Sequence, residues 1–579
     1  MTDDARTGVV ARVNGPLVEI DGLYGVAMGE MVELEMTDIP AEVVAISDTR
    51  TTVQAYEYTG GLAPGARANA SGYELSATMG PWLLGGVFDG LLRPLPRGPI
   101  WLRSDTSTEP SEPRTWSWRP LIKPGDPAAP GASLGVLDVE GDVEYRLLVP
   151  PGGNGHIRAV SPAGDYAADD ELVRVDDISV TMTTRWPIRR PRPYLRRQRA
   201  DEPLVTGQRV IDNLFPMALG GTAAVPGGFG TGKTLLLQQV AKWCSADVIV
   251  YVGCGERGNE MADLLDDFSH LVDPRTGGLL AHRTVIIANT SNMPMMARES
   301  SVYSGITVAE HFRDMGYRAV VIADSTSRWA EALREFSSRT GAMPAEEGYP
   351  ANLASSLAAF YERAGAVVTL GGTTGSVTVI GAVSPPGGDL SEPVTTLTQR
   401  YVRGLWTLDH DLAYARHYPA VSWSGSFARD ASDIDAWYAR NGEPRWGERR
   451  SKLAAVLAEG DRLSALAELM GATSLPDHER VALVASRLVR EAVLQQSAVD
   501  PNDAYCTPAK GAALAEFALD ASSECVAAID RGVPVAVIEG FDFSSLLRAA
   551  RETPPEGADE IQRRRVVLVD SLKALQATS

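Results

Sequence analysis

Residues 225–243 read VPGGFGTGKTLLLQQVAKW and contain the pattern Gly-x-x-x-x-Gly-Lys-Thr, with the two glycines at 227 and 232. An apolar strand pattern precedes this motif and a helical pattern follows it. In that context the backbone N–H groups of a glycine-rich turn surround phosphate oxygens at the helix N-terminus. Glycines supply the unusual φ angles and the close approach that the turn needs. The sequence therefore predicts a phosphate loop formed by Gly227, Gly228, Phe229, Gly230, Thr231, Gly232, Lys233 and Thr234.

Two side chains of this phosphate loop carry the predicted chemistry. Lys233 is expected to reach the β- and γ-phosphates of a nucleotide, and the Thr234 hydroxyl is expected to bind Mg²⁺. Lysine is scarce in this chain. Of the 54 basic residues the lysines are Lys123, Lys233, Lys242, Lys452, Lys510 and Lys573, and all the others are arginine. A compact ammonium suits a phosphate cradle better than a planar guanidinium. The motif therefore predicts nucleotide binding and leaves the purpose of hydrolysis to the rest of the chain.

Length, charge and hydropathy limit the class of protein. A chain of 579 residues is too long for one core and should form roughly three or four domains. The net charge of −20 argues against broad nucleic-acid binding, which relies on a basic surface. No apolar run approaches the roughly 18 residues of a membrane-spanning helix, and the acidic start MTDDARTGVV lacks an apolar signal segment. These features predict a cytoplasmic protein and leave docking on a membrane complex open.

The hydrophobic pattern changes along the chain and predicts a multidomain α/β protein. Residues 1–75 show short alternating strands that are typical of a small β-barrel, and residues 76–97 form a connector. Residues 98–185 are rich in Pro, Ser and Gly with strand-like pieces, which predicts a β-rich insertion. In residues 186–430 buried strands alternate with helices, so a RecA-like domain with a parallel sheet is expected. Residues 431–579 show helical periodicity and predict a helical bundle.

One basic, proline-containing segment lies at the start of the predicted RecA-like domain. Residues 186–199 read WPIRRPRPYLRRQR. A run of like charges with prolines is typical of a solvent-exposed linker, and that is the structure expected for this segment.

Acidic residues follow two further apolar strands. Asp324 ends the strand pattern in YRAVVIAD, where the Mg²⁺-side aspartate of a phosphate-loop enzyme belongs. Glu256 follows the strand in DVIVYVGCGERGNEM, where a carboxylate can orient and polarise the attacking water. The adjacent Arg257 is a candidate for binding a phosphate oxygen or a neighbouring chain. A solvated Glu-Arg turn is the alternative interpretation.

The four cysteines give no metal or disulfide pattern. Cys244, Cys254, Cys506 and Cys525 form no CxxC pair, so reduced thiols in the core are expected. The sequence does not decide whether Cys254 or Cys506 is redox active.

Longer stretches of the chain resemble one protein family. GGFGTGKT, YVGCGERGNEM, ADSTSRWAEALREFSSRTGAMPAEEGYPANLASSLAAFYERAG and GSVTVIGAVSPPGGDLSEPVT are similar to the catalytic A subunit of V-type/A-type rotary ATPases. The resemblance also includes GPWLLGGVFDGLLRPL, RWPIRRPRPY with the later PLVTGQRVIDNLFPMALGGTAAVPGG, and LVREAVLQQSAVDPNDAYC. The insertion before the phosphate loop also matches, so the resemblance extends over nearly the whole chain.

The resemblance implies an assembly and an activity. Three A chains would alternate with three B chains in a ring around a central stalk, connected by peripheral stalk subunits to a membrane ion-translocating sector. ATP would bind mostly on A at an A–B interface, with an arginine finger from B. Hydrolysis would rotate the stalk and pump H⁺ or Na⁺, and the reverse would make ATP. The chain would sit peripherally on the cytoplasmic face of the membrane. The sequence does not choose the direction or the ion.

The resemblance also implies roles for individual residues. Glu256 would be the catalytic base, and Lys233, Arg257 and Arg328 would lie at the phosphates. Mg²⁺ would bind with ATP or ADP at Thr234 and, through water, at Asp324. The residues near adenine would be Ala498 and Val499. The loop at residues 385–393 would face the stalk.

The chain departs from the family pattern at four positions. Val499 stands where relatives often have Phe near adenine, and Leu405 stands where many have Phe before a tryptophan. Ser356 replaces an arginine, and Thr231 occupies the place of a phosphate-loop cysteine in eukaryotic members. None of these changes removes a predicted catalytic group, but loss of a stacking ring at Val499 would alter base binding.

Three alternative functions are consistent with part of the pattern. A homohexameric protein-export ATPase and an RNA-translocating helicase share the phosphate loop and a similar glutamate. The insertion near residues 98–185 and the PPGGDLSEPVT segment disfavour both, and the charge further disfavours the helicase. A non-catalytic nucleotide-binding ring subunit, like the B chain, usually lacks an intact phosphate loop.

Overall fold

The computed structural model describes residues 6–35, 39–95, 114–273, 276–341 and 343–576. The chain divides into two compact units. The first unit contains Met1–Gln198 and Asp247–Gly381, and the second contains Arg199–Ala246 and Ala382–Ser579. Among the described residues, no helix is both long and apolar enough to cross a membrane.

The first unit begins with a closed antiparallel β-barrel. Around the barrel the strands follow in the order Thr7–Asn14, Leu17–Asp21, Arg50–Ala55, Ile39–Ile46, Glu30–Leu34 and Arg67–Glu74. Apolar residues alternate along these strands, so that Val10, Ile20, Leu34 and Val53 all face a buried core. The period-2 pattern of the sequence is therefore what closes this small barrel around its own interior.

A β-rich domain of two four-stranded sheets follows the barrel. The strands of one sheet are, in order, Pro127–Ala128, Gly155–Val160, Val173–Val175 and Ile178–Val180. The strands of the other are Tyr145–Leu148, Ser133–Leu137, Thr115–Pro120 and Gly164–Ala167. Its buried residues include Trp118, Leu134, Val136 and Ile157. The Pro- and Ser-rich beginning of the predicted insertion, residues 98–113, lies outside the described residues.

A mostly parallel sheet and its helices complete the first unit. The parallel strands are, in spatial order, Val87–Phe88, Thr284–Thr290, Val248–Glu256, Arg318–Asp324 and Thr374–Val383, and Gly365–Val368 pairs antiparallel with the last. The last two residues of Thr374–Val383, Ala382 and Val383, belong to the second unit. The helices are Gly258–His270, Met295–Asp314, Thr326–Arg339 and Leu353–Tyr361. The continuous apolar strand sequences are almost fully buried, as expected for strands covered on both faces.

The basic segment at residues 186–199 differs from its predicted structure. Arg189 donates to Glu42 and to Glu299, each at 2.8 Å, and Arg192 is only 5% exposed. The prediction of a solvent-exposed linker is therefore wrong at these two arginines. The physical reason is that carboxylates distant in sequence, from the barrel and from helix Met295–Asp314, neutralise them.

The second unit contains the phosphate loop and a helical C-terminal region. Strand Thr222–Pro226 pairs in parallel with Gly404–Leu405, which pairs antiparallel with Phe427–Ala428, and Pro203–Leu204 pairs with Met217–Ala218. The helices that precede the C-terminal region are Arg209–Leu214, Lys233–Trp243, Pro393–Tyr401 and His410–Tyr414. The C-terminal helices are Ala431–Arg440, Trp446–Met470, Asp477–Leu488 with a π-helical extension Val489–Leu494, Pro508–Asp530, Val535–Glu539, Ser544–Leu547, Ala549–Glu552 and Ala558–Lys573. The multidomain α/β architecture expected from the sequence is confirmed.

A buried ion pair connects helix Arg209–Leu214 to the helical region. Arg209 is 1% exposed and pairs with Asp503, while its Nε donates to the Val493 carbonyl at 2.6 Å. Gln496 accepts from the Arg209 backbone N–H at 2.8 Å. The ion pair and its hydrogen bonds therefore fix the chain after the π-helical turn against the start of the nucleotide-binding region.

Replacing Asp503 should destabilise this region strongly. In Asp503→Ala the Arg209 guanidinium keeps its carbonyl acceptors but loses its carboxylate partner in a buried position, which costs about 3–5 kcal/mol. Hydrogen exchange of helix Pro508–Asp530, followed by mass spectrometry, measures the loss as a lower local opening free energy. The matched control is Glu459→Ala, which removes an exposed pair with Arg462 and should leave that exchange unchanged. Equal exchange in both variants would contradict the assignment.

Candidate nucleotide site

The phosphate loop connects a buried strand to a helix, as the sequence predicts. Strand Thr222–Pro226 precedes it, and helix Lys233–Trp243 follows. Gly230 and Gly232 have φ angles of +81° and +83°, in the left-handed region that favours glycine. The Gly227 backbone N–H donates to the Val383 carbonyl at 3.1 Å, which fixes the start of the loop. The loop is therefore a tight turn that ends at the N-terminus of helix Lys233–Trp243.

Within the loop, side chains are placed by short-range contacts. Thr231 donates through Oγ1 to the Gly228 carbonyl at 2.8 Å and is buried. Lys233 donates through Nζ to Ser384 Oγ. Thr234 is half-buried, and Phe229 is 92% exposed. The lysine that was expected at the phosphates is therefore held at the end of strand Thr374–Val383, next to Ser384.

Tyr418 links the phosphate loop to the segment expected near adenine. Its backbone carbonyl accepts from the Gln496 N–H at 2.8 Å, and its ring carbon Cε1 would lie 3.3 Å from a Cβ at Gly232. Ala498 is half-buried and Val499 is 92% exposed. Tyr418 thus contacts the phosphate loop through its ring, and through its backbone carbonyl it contacts Gln496, two residues before Ala498.

The first unit holds Glu256 and Asp324 at the carboxyl edge of the parallel sheet. Gly253 and Asp324 are register partners on adjacent strands, and Glu256 ends its strand after a bulge. Tyr251 donates to Asp324 Oδ2 at 3.3 Å. Burial, together with the charges of Asp324 and Glu256, raises the pKa of Tyr251, so its hydroxyl keeps the proton that it donates. Asp324 itself is 1% exposed.

Arg298 braces the turn that carries Glu256. Its Nη2 donates to the Ser291 carbonyl at 3.0 Å, and the Ser291 N–H donates to the Glu256 carbonyl at 2.9 Å. Gly255 has φ +74°, and a Cβ there would lie 3.2 Å from Arg298 Cδ and 3.0 Å from Arg328 Cβ. The position of Glu256 is therefore set by backbone contacts and by two neighbouring arginines.

The two arginines predicted at the phosphates differ in environment. Arg328 has a half-exposed side chain and pairs with Glu331 at 2.9 Å. That hydrogen bond and, more weakly, the charge of Glu256 raise the pKa of Arg328, so it is a permanent cation near the glutamate. Arg257 is exposed at the N-cap of helix Gly258–His270. Both side chains lie at the surface of the first unit.

The cysteines lie in the core, as expected. All four are buried and free of disulfides. Burial raises the pKa of Cys254 to about 12, and burial also raises that of Cys506. At neutral pH both are therefore thiols, and the reactive thiolate form is disfavoured.

The predicted residues thus fall into two groups, one in each compact unit. The phosphate loop and residues 498–499 lie in the second unit, while Glu256, Arg257, Asp324 and Arg328 lie in the first. The residues that contact these groups and were not predicted from the sequence include Ser384, Tyr418 and Arg298. Only Ser384 had a local signal, since it directly follows a buried strand and precedes the PPGG turn.

This geometry defines a phosphate-loop nucleotide-binding protein, and the chain matches known family models along most of its length. Residues 207–428 match the ATP synthase alpha/beta family, nucleotide-binding domain. Residues 10–72 match its beta-barrel domain, 110–189 the ATPsynthase alpha/beta subunit barrel-sandwich domain, and 435–533 the C-terminal domain of V and A type ATP synthase.

Full-length relatives give the same result. The V-type ATP synthase alpha chain of Anaeromyxobacter sp. (strain K) is 47% identical, with 99% of this chain and 100% of the relative covered. The corresponding A-type ATP synthase chain of Methanopyrus kandleri is 45% identical, with 96% and 95% covered. The chain belongs to the ATP synthase alpha/beta family. Within it, the chain is similar to V-type alpha chains and their A-type counterparts, which confirms the resemblance, and it is an ATP-hydrolysing or ATP-synthesising enzyme.

A solved structure of another ring ATPase shares only the fold. The assembled ATPase EscN from the enteropathogenic E. coli type III secretion system has a TM-score of 0.64 and 22% identity, with 88% of this chain and 100% of that chain covered. At this identity the likeness carries no functional argument.

Gly232, a left-handed glycine of the phosphate loop, should be more sensitive to substitution than Gly228. In Gly232→Ala the alanine must adopt a φ angle near +83°, with its Cβ beside Tyr418. A left-handed backbone costs a residue other than glycine about 1–2 kcal/mol. ATP affinity, measured by calorimetry with Mg²⁺ present, should fall about tenfold. In the matched variant Gly228→Ala the Cβ meets Gly388 Cα at an ordinary 3.5 Å, so affinity should be retained. Equal losses in both variants would rule out backbone strain as the cause.

Proposed function

We propose that the chain is the catalytic subunit of a V-type or A-type rotary complex, in which Glu256 activates the water that attacks ATP. The observation that supports this role best is the fixed position of Glu256 at the end of a buried strand. Its backbone carbonyl accepts a hydrogen bond from the Ser291 N–H. The preceding residue, Gly255, packs against Arg298 and Arg328. A carboxylate held in this way can orient a water and accept its proton.

The phosphate loop would bind the nucleotide by its backbone and by Lys233. The N–H groups of residues 227–234 suit phosphate oxygens, and the Lys233 ammonium would exchange its contact with Ser384 for the β- and γ-phosphates. Arg257 and Arg328 would bind the transferred phosphoryl group, because both are exposed cations next to Glu256 in space or in sequence. These charges would stabilise the developing negative charge at the oxygens.

The donors at Thr234 and Asp324 fit Mg²⁺. A hydroxyl and a carboxylate are hard oxygen ligands, and Mg²⁺ in phosphate sites takes one or two such protein ligands besides phosphates and water. Asp324 is aligned by the Tyr251 hydroxyl on its Oδ2 atom. Thr234 would bind the ion directly and Asp324 through a water. When bound, Mg²⁺ would neutralise charge on the β- and γ-phosphates of ATP or ADP.

Adenine would lie beside Ala498 and Val499. Val499 is 92% exposed, so its side chain is available to a ligand. A valine offers an apolar contact but no aromatic face for stacking, and base binding would therefore rely on shape more than on ring stacking. Leu405 is 5% exposed, which makes it a core residue of its strand.

The assembly is proposed from the relatives. The chain would alternate with a homologous B subunit in a ring, and B would supply an arginine finger. A central stalk, which the loop at residues 385–393 would face, and peripheral stalks would connect the ring to a membrane sector that moves H⁺ or Na⁺. The chain would then act at the cytoplasmic face of the membrane, and no nucleic acid would take part, in keeping with the net charge of −20.

A homohexameric export-type ATPase is the second candidate function. Enzymes of that class share the phosphate loop and a similar glutamate with this chain. The β-rich domain at residues 115–180 and the coverage of full-length V-type and A-type relatives favour the rotary assignment over it. A non-catalytic ring subunit is the weakest candidate, because Lys233, Thr234, Glu256 and Asp324 are all present.

Removing the base should slow turnover without removing the nucleotide. Glu256→Gln keeps the shape of the side chain but cannot accept the proton, so ATP hydrolysis by the assembled complex should fall about 10²–10⁴-fold while ATP binding persists. The control Asp263→Asn, an exposed position on the helix that follows, should retain wild-type turnover. Near-normal ATPase activity in Glu256→Gln would overturn the role of Glu256.

The rotary assembly can be tested on the protein from its own cells. Native mass spectrometry of the tagged chain should find a related chain in equal, threefold stoichiometry, together with stalk and membrane subunits. A homohexamer without those partners would favour the export-type function and contradict the rotary one.

A further inference from the structure

The basic segment at residues 186–199, which the proposed catalytic function does not use, lines a cavity in the first unit. The cavity has a volume of about 320 Å³ and lies between the β-rich domain and helix Met295–Asp314. Ligand pockets of about 300–1,000 Å³ hold small molecules. Its apolar walls include Leu147, Val180, Trp186 and Leu370. It shares no residue with the phosphate loop or with the group around Glu256.

Arg192 is the central cation of this cavity. It is 5% exposed, its Nε donates to Asp314 Oδ2 at 2.7 Å, and its guanidinium lies 5.1 Å from the centroid of the Trp186 ring. Its Nη1 is buried and has no hydrogen-bond partner among the described residues. A buried donor without a partner is costly, and a bound acceptor would remove that cost.

The charges around Arg192 leave the cavity with an excess of cations. Among the described residues of the lining, Asp314 is the one acidic group, and Arg313 also donates to it, at 2.6 Å. Arg146 is partly exposed, and its acidic partner Glu144 lies 3.7 Å away. The exposed side chain of Arg185 forms no ion pair with the residues that the structure describes. The lining therefore carries three guanidinium groups and one carboxylate, which Arg192 shares with Arg313.

The other titratable groups of the lining carry no charge that would offset these arginines. His311 and Tyr145 are hydrogen-bonded to each other at 2.8 Å and both are buried. Burial and the charge of Arg192 lower the pKa of His311, so the imidazole is neutral. Burial raises the pKa of Tyr145, so it remains a phenol.

We propose that this cavity binds a small organic anion, a phosphate ester or carboxylate on an aromatic or aliphatic body. The anionic group is recognised by Arg192 with Arg146 and Arg185 at the rim, and the body packs on Trp186 and the aliphatic walls. Guanidinium groups match carboxylate and phosphate oxygens by charge and by geometry. The site is separate from ATP turnover, and its existence does not depend on the proposed catalytic function.

Calorimetry on the full-length chain tests the ligand class. The probes are 1-naphthyl phosphate and 1-naphthoate, each an aromatic anion that fits the cavity, compared with neutral 1-naphthol and with inorganic phosphate. Binding of either aromatic anion at least tenfold tighter than of naphthol and of inorganic phosphate supports the proposal, and the stronger of the two identifies the anionic group. Equal binding of naphthol, or no binding of either anion, overturns it.

Variants locate the bound probe. Arg192→Gln removes the buried cation and should weaken binding of the preferred anion about tenfold or more. Val180→Phe fills the cavity from strand Ile178–Val180 without touching a charge, and it should weaken binding as well. Arg158→Gln, at an exposed arginine of the same domain, should leave the affinity unchanged. Circular dichroism confirms folding in each case.

Two results would place the probe elsewhere and overturn the proposal. One is wild-type affinity in both Arg192→Gln and Val180→Phe. The other is loss of binding in Lys233→Ala, which would assign the probe to the phosphate loop. If Arg192→Gln fails to fold, Val180→Phe still tests the site, because it keeps the ion pair of Arg192 with Asp314.

Discussion

Parallel strand pairing determines where the reactive carboxylates of this protein can lie. Residues paired across adjacent parallel strands stay level, so that Asp324 lies beside Gly253, and Glu256 leaves the same edge of the sheet two residues beyond Cys254. The strands are buried on both faces, and a shift in register would bury Glu256 or expose apolar side chains. The apolar composition of these strands thus fixes the positions of Glu256 and of the buried Asp324.

The phosphate loop depends on a different constraint, which is steric. Gly230 and Gly232 adopt left-handed φ angles, and Tyr418 packs against the second of them. The same tyrosine accepts a hydrogen bond from Gln496, a residue of the buried network around Arg209. Packing in the helical C-terminal region is therefore connected to the loop that would hold phosphate, through one backbone carbonyl and one aromatic ring.

The parts of the fold that were predictable from the sequence are those set by local patterns. Period-2 alternation specified the barrel, and glycine spacing specified the phosphate loop together with its helix. Contacts between distant segments were not predictable: the partner of Arg189 is Glu299, more than a hundred residues away, and Tyr418 has no motif of its own. The carboxylates that pair with a run of basic residues cannot be identified from the sequence. Residues 186–199 were therefore predicted to form an exposed linker.

The rare lysines show how the chain chooses between its two cations. Buried Lys510 donates through Nζ to the carbonyls of Asn502, Ala550 and Thr553 at 2.6–2.8 Å, an arrangement that suits three donors on one nitrogen. Arg318 places two donors of its fork on the Asp247 carboxylate. Lysine pairs with carboxylates as well, but at exposed positions, as Lys452 does with Glu448. In a phosphate cradle the backbone N–H groups already surround the phosphate oxygens, so the added cation must be compact. The single ammonium nitrogen of Lys233 meets that requirement, as the Lys510 nitrogen does among its three carbonyls.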